Sequence, residues 1–249
     1  MPQPALAIGR GMSRQPGERW TRFAGRIANA FGLVLVLVLL TYVLASVTPF
    51  KGWTAVLITA AGSVSAAVAL VTAEAKPLLE RWGLRMAALT VILAAIAAAS
   101  GDSPPLGLSA LIQMLLLSIA ALSVLRAVVT ESEVGFRTIL GAISVYVVFI
   151  LLFTFLYAGI DRLQGGAFFQ GEPKLQSGDY VFFSVTTLST TGYGNLVPAA
   201  QPGKMFSGIE MLLGQIFLVT LIAGLVSLWQ PGKWVRERRR PSGGSESEA

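Results

Sequence analysis

The chain has 249 residues, of which 54% are hydrophobic and only 13% charged, and it contains neither cysteine nor histidine. This composition excludes an ordinary soluble domain, disulfide bonds, thiolate metal sites and most histidine-dependent chemistry. The net charge of +6 lies mainly at the two ends and in short loops, which favours membrane lipid over nucleic acid as the partner and predicts an all-α membrane protein.

The first segment, residues 1–26, contains five arginines with proline and glycine and lacks a sustained apolar period. It is predicted to be a basic cytoplasmic tail. Residues 27–50 then form an apolar run. A basic segment followed by an apolar run is also typical of signal peptides. Because this run is longer than a signal-peptide core and long enough to cross a bilayer, we expect a first transmembrane helix.

Charged residues delimit the further apolar segments, because a charge at bilayer depth is costly. The second and third predicted spans are residues 52–73 and 86–101, and Asp102-Ser103-Pro104-Pro105 is expected to form the turn that follows them. The remaining predicted spans are residues 106–125, 138–160 and 203–229. Six crossings place both termini and the loop at 74–85 in the cytoplasm, where most of the Lys and Arg then lie.

The most informative stretch is DYVFFSVTTLSTTGYGNLVP, residues 179–198. Residues 179–189 are apolar and have about the length of a helix that enters half of a bilayer, with Ser177 as a candidate N-cap. Glycines alternate with other residues in the TTGYG sequence that follows. A potassium filter needs inward backbone carbonyls at successive levels, and glycine reaches the required conformations without a Cβ clash. An ordinary glycine-rich turn is the alternative interpretation.

This order of apolar segment, pore helix, TTGYG sequence and inner helix resembles the pore region of the potassium channel superfamily over residues 138–229. The resemblance implies a homotetramer that conducts K⁺ passively, because each chain supplies one quarter of a pore. It implies no catalytic residue, no cofactor and no fixed metal site; K⁺ is the permeant ion. The residues that it assigns to the selectivity filter are Thr190, Thr191, Gly192, Tyr193 and Gly194, with Asn195 at the outer mouth.

Two positions depart from the pattern of the superfamily. Asn195 stands where relatives most often have aspartate, which removes a ring of four charges from the outer mouth of a tetramer. Thr191 stands where valine or isoleucine is more usual. These departures leave open a less selective monovalent-cation channel, and a non-conducting accessory subunit is a further alternative. A secondary transporter would show a second, inverted copy of the re-entrant motif, and the sequence contains one copy.

The segment before the pore region is expected to form a four-helix membrane domain, residues 27–129, in the place of a voltage sensor. A voltage sensor needs arginines at every third position, and the fourth span has one basic residue, Arg126, at its cytoplasmic end. The channel is therefore predicted not to be voltage-gated. Residues 130–137 are interpreted as a linker between the two parts.

Two residues of the inner helix are candidates for function. Gly214 lies where potassium channels often carry a hinge glycine, and close packing is the equal alternative. Glu210 is an acid within a span, which is a functional hypothesis by default. It either bonds behind the filter, with Gln215, Thr186 and Thr187 as expected partners, or faces the cavity and concentrates cations.

The last segment, residues 230–249, begins with an arginine-rich patch and ends in a Ser/Gly/Glu sequence. It is interpreted as a basic, disordered cytoplasmic tail that is too short for a soluble regulatory domain. Basic ends and the lack of a sorting domain favour the inner, cytoplasmic membrane of a bacterium.

Overall fold

The structure is a computed structural model that describes residues 17–130, 136–171, 175 and 178–228, with side chains from residue 31 onward except at 136–137 and 225–228. The described chain consists of helices joined by loops, which confirms the all-α prediction. In these ranges the helices are α1 (Gly17–Val47), α2 (Gly52–Thr72), α3 (Pro77–Ser100), α4 (Ser103–Thr130), α5 (Phe136–Leu163), α6 (Asp179–Leu188) and α7 (Gly203–Leu228).

Five of these helices are long and apolar enough to cross a membrane: α2, α3, α4, the Thr138–Leu163 part of α5 and the Gly203–Gly224 part of α7. The described apolar part of α1, Phe31–Val47, is shorter, so a crossing by α1 stays a prediction. The ten residues of α6 give about 15 Å of helix, half the thickness of a bilayer core. The chain is an integral membrane protein.

Three predicted boundaries were wrong. Helix α1 begins at Gly17, inside the predicted tail. Helix α3 begins at Pro77, so most of the predicted 74–85 loop is helical; proline suits the first turn because its fixed φ is already helical. Pro104 and Pro105 lie in the first turn of α4, where no amide donor is needed. The break falls instead at Gly101, the left-handed C-cap of α3.

Helix α4 packs antiparallel against α5 along a seam of glycines. A Cβ added at Gly141 would lie 2.6 Å from Val128 Cγ2, and one at Gly159 would lie 2.7 Å from Leu111 Cδ2. At the other end of the seam Gly107 meets Leu163. Small residues let two helix backbones approach closely in a membrane. The connection at 131–135, within the predicted linker, lies outside the described residues.

The interior of the four-helix part contains only neutral polar side chains in the described residues. The Ser63 hydroxyl lies 3.2 Å from the Thr90 hydroxyl and donates to Gln113 Oε1 at 3.0 Å. The Ser109 hydroxyl donates to the Thr90 carbonyl at 2.8 Å. Arg126 is exposed near the end of α4. Hydroxyl and amide contacts of this kind bind helices together in a membrane without burying a charge.

Candidate functional site

The N-cap of the short helix α6 is Gly178 and not the predicted Ser177, which lies outside the described residues. Gly178 has a φ of 85°, in the left-handed region that favours glycine. A Cβ at this position would lie within 3.1 Å of three backbone atoms of Ser46, at the end of α1. Asp179 occupies the first turn, where a negative charge complements the helix dipole. The start of α6 is therefore fixed against α1.

Aromatic rings enclose the outer half of α6. Phe183 contacts Tyr157 with ring centroids 5.0 Å apart, and it contacts Phe169 with centroids 5.2 Å apart. The Tyr180 hydroxyl donates to Asp161 Oδ2 at 2.5 Å. Burial raises the pKa of the Tyr180 phenol above its ordinary value, and the hydrogen bond to Asp161 raises this pKa further, so the phenol stays neutral.

In its described residues, the loop between α5 and α6 is partly buried. Phe168 and Phe169 are both 2% exposed. The segment after TTGYG pairs with these two residues through the backbone. The backbone amide of Gln170 donates to the Val197 carbonyl and that of Ala199 to the Phe168 carbonyl, both at 2.8 Å. This short antiparallel pairing fixes the segment that follows TTGYG, because its partner segment is anchored by the buried rings of Phe168 and Phe169.

The TTGYG segment has an alternating backbone. Thr190, Gly192 and Gly194 have φ values of 57°, 52° and 78°, whereas the residues between them are not in the left-handed region. The Thr190 amide donates to the Thr187 carbonyl and the Gly192 amide to the Thr186 carbonyl, both at 3.0 Å. Alternation of this kind turns successive peptide groups toward the same side of the chain. The last turn of α6 thus fixes a backbone with the geometry of a carbonyl ladder.

The side chains of this segment are exposed in the single chain. Tyr193 is 72% exposed and stacks on Phe182 with ring centroids 5.8 Å apart. The hydroxyls of Thr191 and Ser189 lie 2.9 Å apart. Asn195 follows at the exposed end of the segment. The threonine that replaces the usual apolar residue therefore has a hydrogen-bond partner at the end of α6.

Gly214 of α7 lies against the end of α6. A Cβ added there would lie 2.1 Å from the Leu188 carbonyl oxygen, closer than any two such atoms can approach. Any side chain would separate α7 from the residue that ends α6. Close packing therefore accounts for this glycine, and its role as a hinge stays a prediction.

Glu210, one turn earlier on α7, is 0% exposed. Its Oε2 accepts a hydrogen bond from the Tyr157 hydroxyl at 2.5 Å, and its Oε1 lies 2.5 Å from the Ser184 hydroxyl. Glu210 is thus a buried group with hydrogen-bond partners on α5 and α6, whereas the alternative prediction placed it facing a cavity.

The partners expected for Glu210 were wrong. Gln215 is exposed, and the Thr186 hydroxyl donates to the Phe183 carbonyl at 3.0 Å. Glu210 faces the middle of α6, one turn before the threonines. Sequence reasoning missed Tyr157 and Ser184, although both are polar residues within the pore region and such residues are candidate partners for a buried acid.

Known channels match the part of the chain that contains this site. Residues 141–230 match a family model described as "Ion channel". The chain is 33% identical over 82 residues to two pore potassium channel c of Oryza sativa subsp. japonica, covering 32% of this chain and 18% of that protein. It is 32% identical over 50 residues to the human voltage-gated delayed rectifier potassium channel KCNH5, covering 20% of this chain and 5% of that protein.

The matched region contains most of α5 together with α6, the TTGYG segment and α7. Over this region the chain is similar to potassium channels. It spans less than a fifth of the length of these curated relatives. No solved structure matches the chain.

Proposed function

We propose that the chain is a subunit of a potassium-selective channel that conducts K⁺ passively and is not gated by voltage. Membership of an ion channel family points to a channel rather than an enzyme. The observation that carries the proposal is the left-handed φ at Thr190, Gly192 and Gly194. Such a backbone offers one carbonyl level after another to an ion that has lost its water.

The assembly that we propose is a homotetramer in lipid. Residues 190–195 are exposed in the single chain, and a K⁺ ion needs carbonyl groups from several chains around one axis. Helix α7 also leaves a large apolar face uncovered, where Leu212 and Ile216 are 66% and 65% exposed. Neighbouring subunits bury this face in the tetramer, with both termini in the cytoplasm and the protein in a bacterial inner membrane.

The absence of voltage gating rests on α4. Moving one charge through 100 mV is worth about 2.3 kcal/mol, so steep opening needs several charges. Arg126 is the one basic residue of α4, and no residue of the four-helix part that is both described and charged is buried. The glycine seam further packs α4 directly against α5, so a movement of α4 along α5 would disrupt these close contacts.

The second candidate is a less selective monovalent-cation channel. Asn195 brings no charge to the outer mouth, and the Thr191 hydroxyl bonds to Ser189 where a superfamily filter more often has an apolar side chain. Both features bear on how firmly the carbonyl ladder is held. A non-conducting accessory subunit is the alternative that the absence of current would favour.

The test is the reversal potential of the purified protein in planar bilayers, with K⁺ on one side and Na⁺ on the other, over a wide range of voltage. We expect a value near the K⁺ equilibrium potential and a conductance that changes little with voltage. Equal permeability to Na⁺ would establish the second candidate instead.

A matched pair of variants ties the current to the filter. Gly192→Ala places a Cβ at a φ of 52°, which costs about 1–2 kcal/mol in each of four chains, so we expect loss of K⁺ selectivity or of current. Gly165→Ala in the outer loop has open space around it and no left-handed φ, and it should conduct as the wild type does. Equal currents from both variants would contradict the assignment of the filter.

A further inference from the structure

One buried carboxyl group joins α5, α6 and α7, the three helices that we call the pore part. Glu210 on α7 meets Tyr157 on α5 through Oε2 and Ser184 on α6 through Oε1, at 2.5 Å in each case. All three side chains are buried. The Ser184 hydroxyl has a second acceptor, the Ile150 carbonyl at 3.0 Å, which the Thr154 hydroxyl also reaches at 2.7 Å.

The surroundings of Glu210 contain no compensating charge. No Lys or Arg of the described chain forms an ion pair with it. The titratable groups that face it are the phenols of Tyr157 and Tyr146 on α5, and α6 presents only the Ser184 hydroxyl. An isolated carboxylate is strongly disfavoured in such a site, whereas a neutral acid with partners is tolerated.

The hydrogen atoms can be counted. If Glu210 is ionised, the Tyr157 and Ser184 hydroxyls donate to its two oxygens, and the Ile150 carbonyl keeps the Thr154 hydroxyl as a donor. If Glu210 carries a proton on Oε1, it donates to the Ser184 oxygen, which is then free to donate to Ile150, while Tyr157 donates to Oε2. Both forms therefore satisfy the acceptors of the cluster, but only the neutral acid does so without a buried charge, and it adds a hydrogen bond from Ser184 on α6 to Ile150 on α5.

We propose that Glu210 is held as the neutral acid and that the chain of hydrogen bonds from Tyr157 through Glu210 and Ser184 to Ile150 positions α6. Glu210 is a positioning residue that touches no ion. The consequence for selectivity rests on the proposed potassium channel function; the protonation itself does not.

The route from this cluster to the filter is short. Ser184 lies one helical turn before Leu188, whose carbonyl abuts Gly214 one turn after Glu210. Helix α7 thus holds α6 at two successive turns of one face. The carbonyls of Thr186 and Thr187, between these two points, accept the amides of Gly192 and Thr190. A displaced α6 therefore displaces the groups that hold the left-handed backbone.

The proposal predicts an effect of pH with a definite sign. Loss of the proton leaves a buried charge and removes one donor from the cluster. The stabilisation is therefore present at low pH and is lost as the pH rises through the titration of the folded protein. Selectivity of the wild type should fall toward alkaline pH, and Glu210→Gln should abolish that dependence.

The first measurement is infrared difference spectroscopy of the full-length protein in liposomes at neutral pH. We expect the C=O stretch of a protonated carboxylic acid in the wild type and its loss in Glu210→Gln. This measurement requires no current. If the band is present and the protein does not select K⁺, the proposed function fails and the neutral acid stands; if the Glu210 band is absent, the inference is overturned.

The second measurement compares K⁺/Na⁺ permeability ratios and melting temperatures of the variants. Glu210→Gln offers the same donor and acceptor as the neutral acid, so we expect a ratio and a melting temperature close to those of the wild type. Glu210→Ala removes the acceptor of Tyr157 and the link from α7 to Ser184, which keeps only Ile150. We expect the permeability ratio to fall about tenfold, the effect of losing one buried hydrogen bond. Tyr157→Phe should lie between the two.

Ser144→Ala is the matched control for Ser184→Ala. Both serines are 0% exposed, but the Ser144 hydroxyl donates to the Leu140 carbonyl of its own helix at 2.8 Å. We expect only Ser184→Ala to lower the permeability ratio. A Glu210→Gln variant as impaired as Glu210→Ala, or wild-type selectivity in all the variants, would overturn the positioning role even if every protein folds.

Discussion

The two parts of this chain use polar groups in opposite ways. In the four-helix part, the buried polar residues are neutral, and they join helices through single hydroxyl contacts such as Ser63 to Thr90. In the pore part, a buried acid connects three helices and the chain next to it adopts left-handed φ values at alternate residues. Strained backbone and buried acids persist only where the surrounding structure holds them.

The glycines differ in the same way. Around Gly83 on α3, a Cβ would meet the end of the Leu70 side chain at 2.6 Å, which can rotate away. At Gly214 on α7, it would meet the Leu188 backbone carbonyl at 2.1 Å, which cannot. A side chain at Gly83 could be accommodated by a change of the Leu70 rotamer, whereas Gly214 sets the distance between α7 and the backbone of α6. The four-helix part thus tolerates small shifts of its helices, and the pore part does not.

The largest expected effect is that of Gly214→Ala. The new methyl group must push α7 away from the last residue of α6, and no change of rotamer relieves a clash with backbone. Overpacking costs about 1–3 kcal/mol, with the upper end expected where backbone has to move. We expect loss of the stable tetramer in detergent, measured by size-exclusion chromatography, and loss of selective current.

The control for this variant is Gly208→Ala on the same helix, where a Cβ would have no atom within 4 Å. Alanine in place of a helical glycine stabilises by roughly 0.5–1 kcal/mol, so the melting temperature should rise slightly. A selective, stable Gly214→Ala channel would show that α7 need not touch Leu188, and the contrast between the two parts would then fail.

A smaller effect is expected at Gln113 in the four-helix part. Its side chain is 0% exposed and its Nε2 has no hydrogen-bond partner. Leucine has a similar volume, and replacing an incompletely paired polar group by an apolar one is nearly neutral or stabilising. Since Ser63 keeps Thr90 within reach, we expect Gln113→Leu to leave the melting temperature unchanged or raised and the reversal potential unaltered.

Gln113→Ala gives the contrast for this variant, because it leaves a cavity. We expect it to lower the melting temperature, because truncating a large buried side chain lowers the free energy of unfolding by about 2–5 kcal/mol. Selectivity should persist in both variants. Altered selectivity in Gln113→Leu would mean that the four-helix part tunes the filter and is more than a support.

Much of this architecture is predictable from the sequence, because apolar length and charge spacing report on the bilayer. The spans of α2, α5 and α7 follow from that pattern. The start of α3 was missed because the charged residues at 74–85 were taken as a loop, and the start of α4 because Pro104 and Pro105 were taken as a break, although the first turn of a helix accepts proline. The apolar pattern does not distinguish the first turn of a helix from the loop before it, because both lie next to an apolar segment.

The TTGYG segment is also predictable, because its glycines mark where left-handed backbone is needed, and Gly192 and Gly194 have it. Thr190 has the same conformation without being glycine, and only its bond to Thr187 explains that. The partners of Glu210 could not be predicted, since they depend on how α7 is rotated against α5 and α6. Rotation of a helix that is apolar all round is set by tertiary contacts and leaves no periodic signal.

The smallest expected effect concerns Arg126, the one basic residue of α4. If α4 moved through the field as a sensor does, the loss of its charge would weaken the dependence of opening on voltage by about 2.3 kcal/mol per 100 mV for each chain. Arg126 is exposed four residues before the end of α4, and the adjoining Val128 packs on Gly141. The guanidinium can therefore remain in the headgroup layer while the helix stays in place.

We expect Arg126→Gln to leave the slope of the conductance–voltage relation unchanged. A flattened slope would mean that α4 moves relative to α5 when the channel opens, and the four-helix part would then take part in gating together with the pore part.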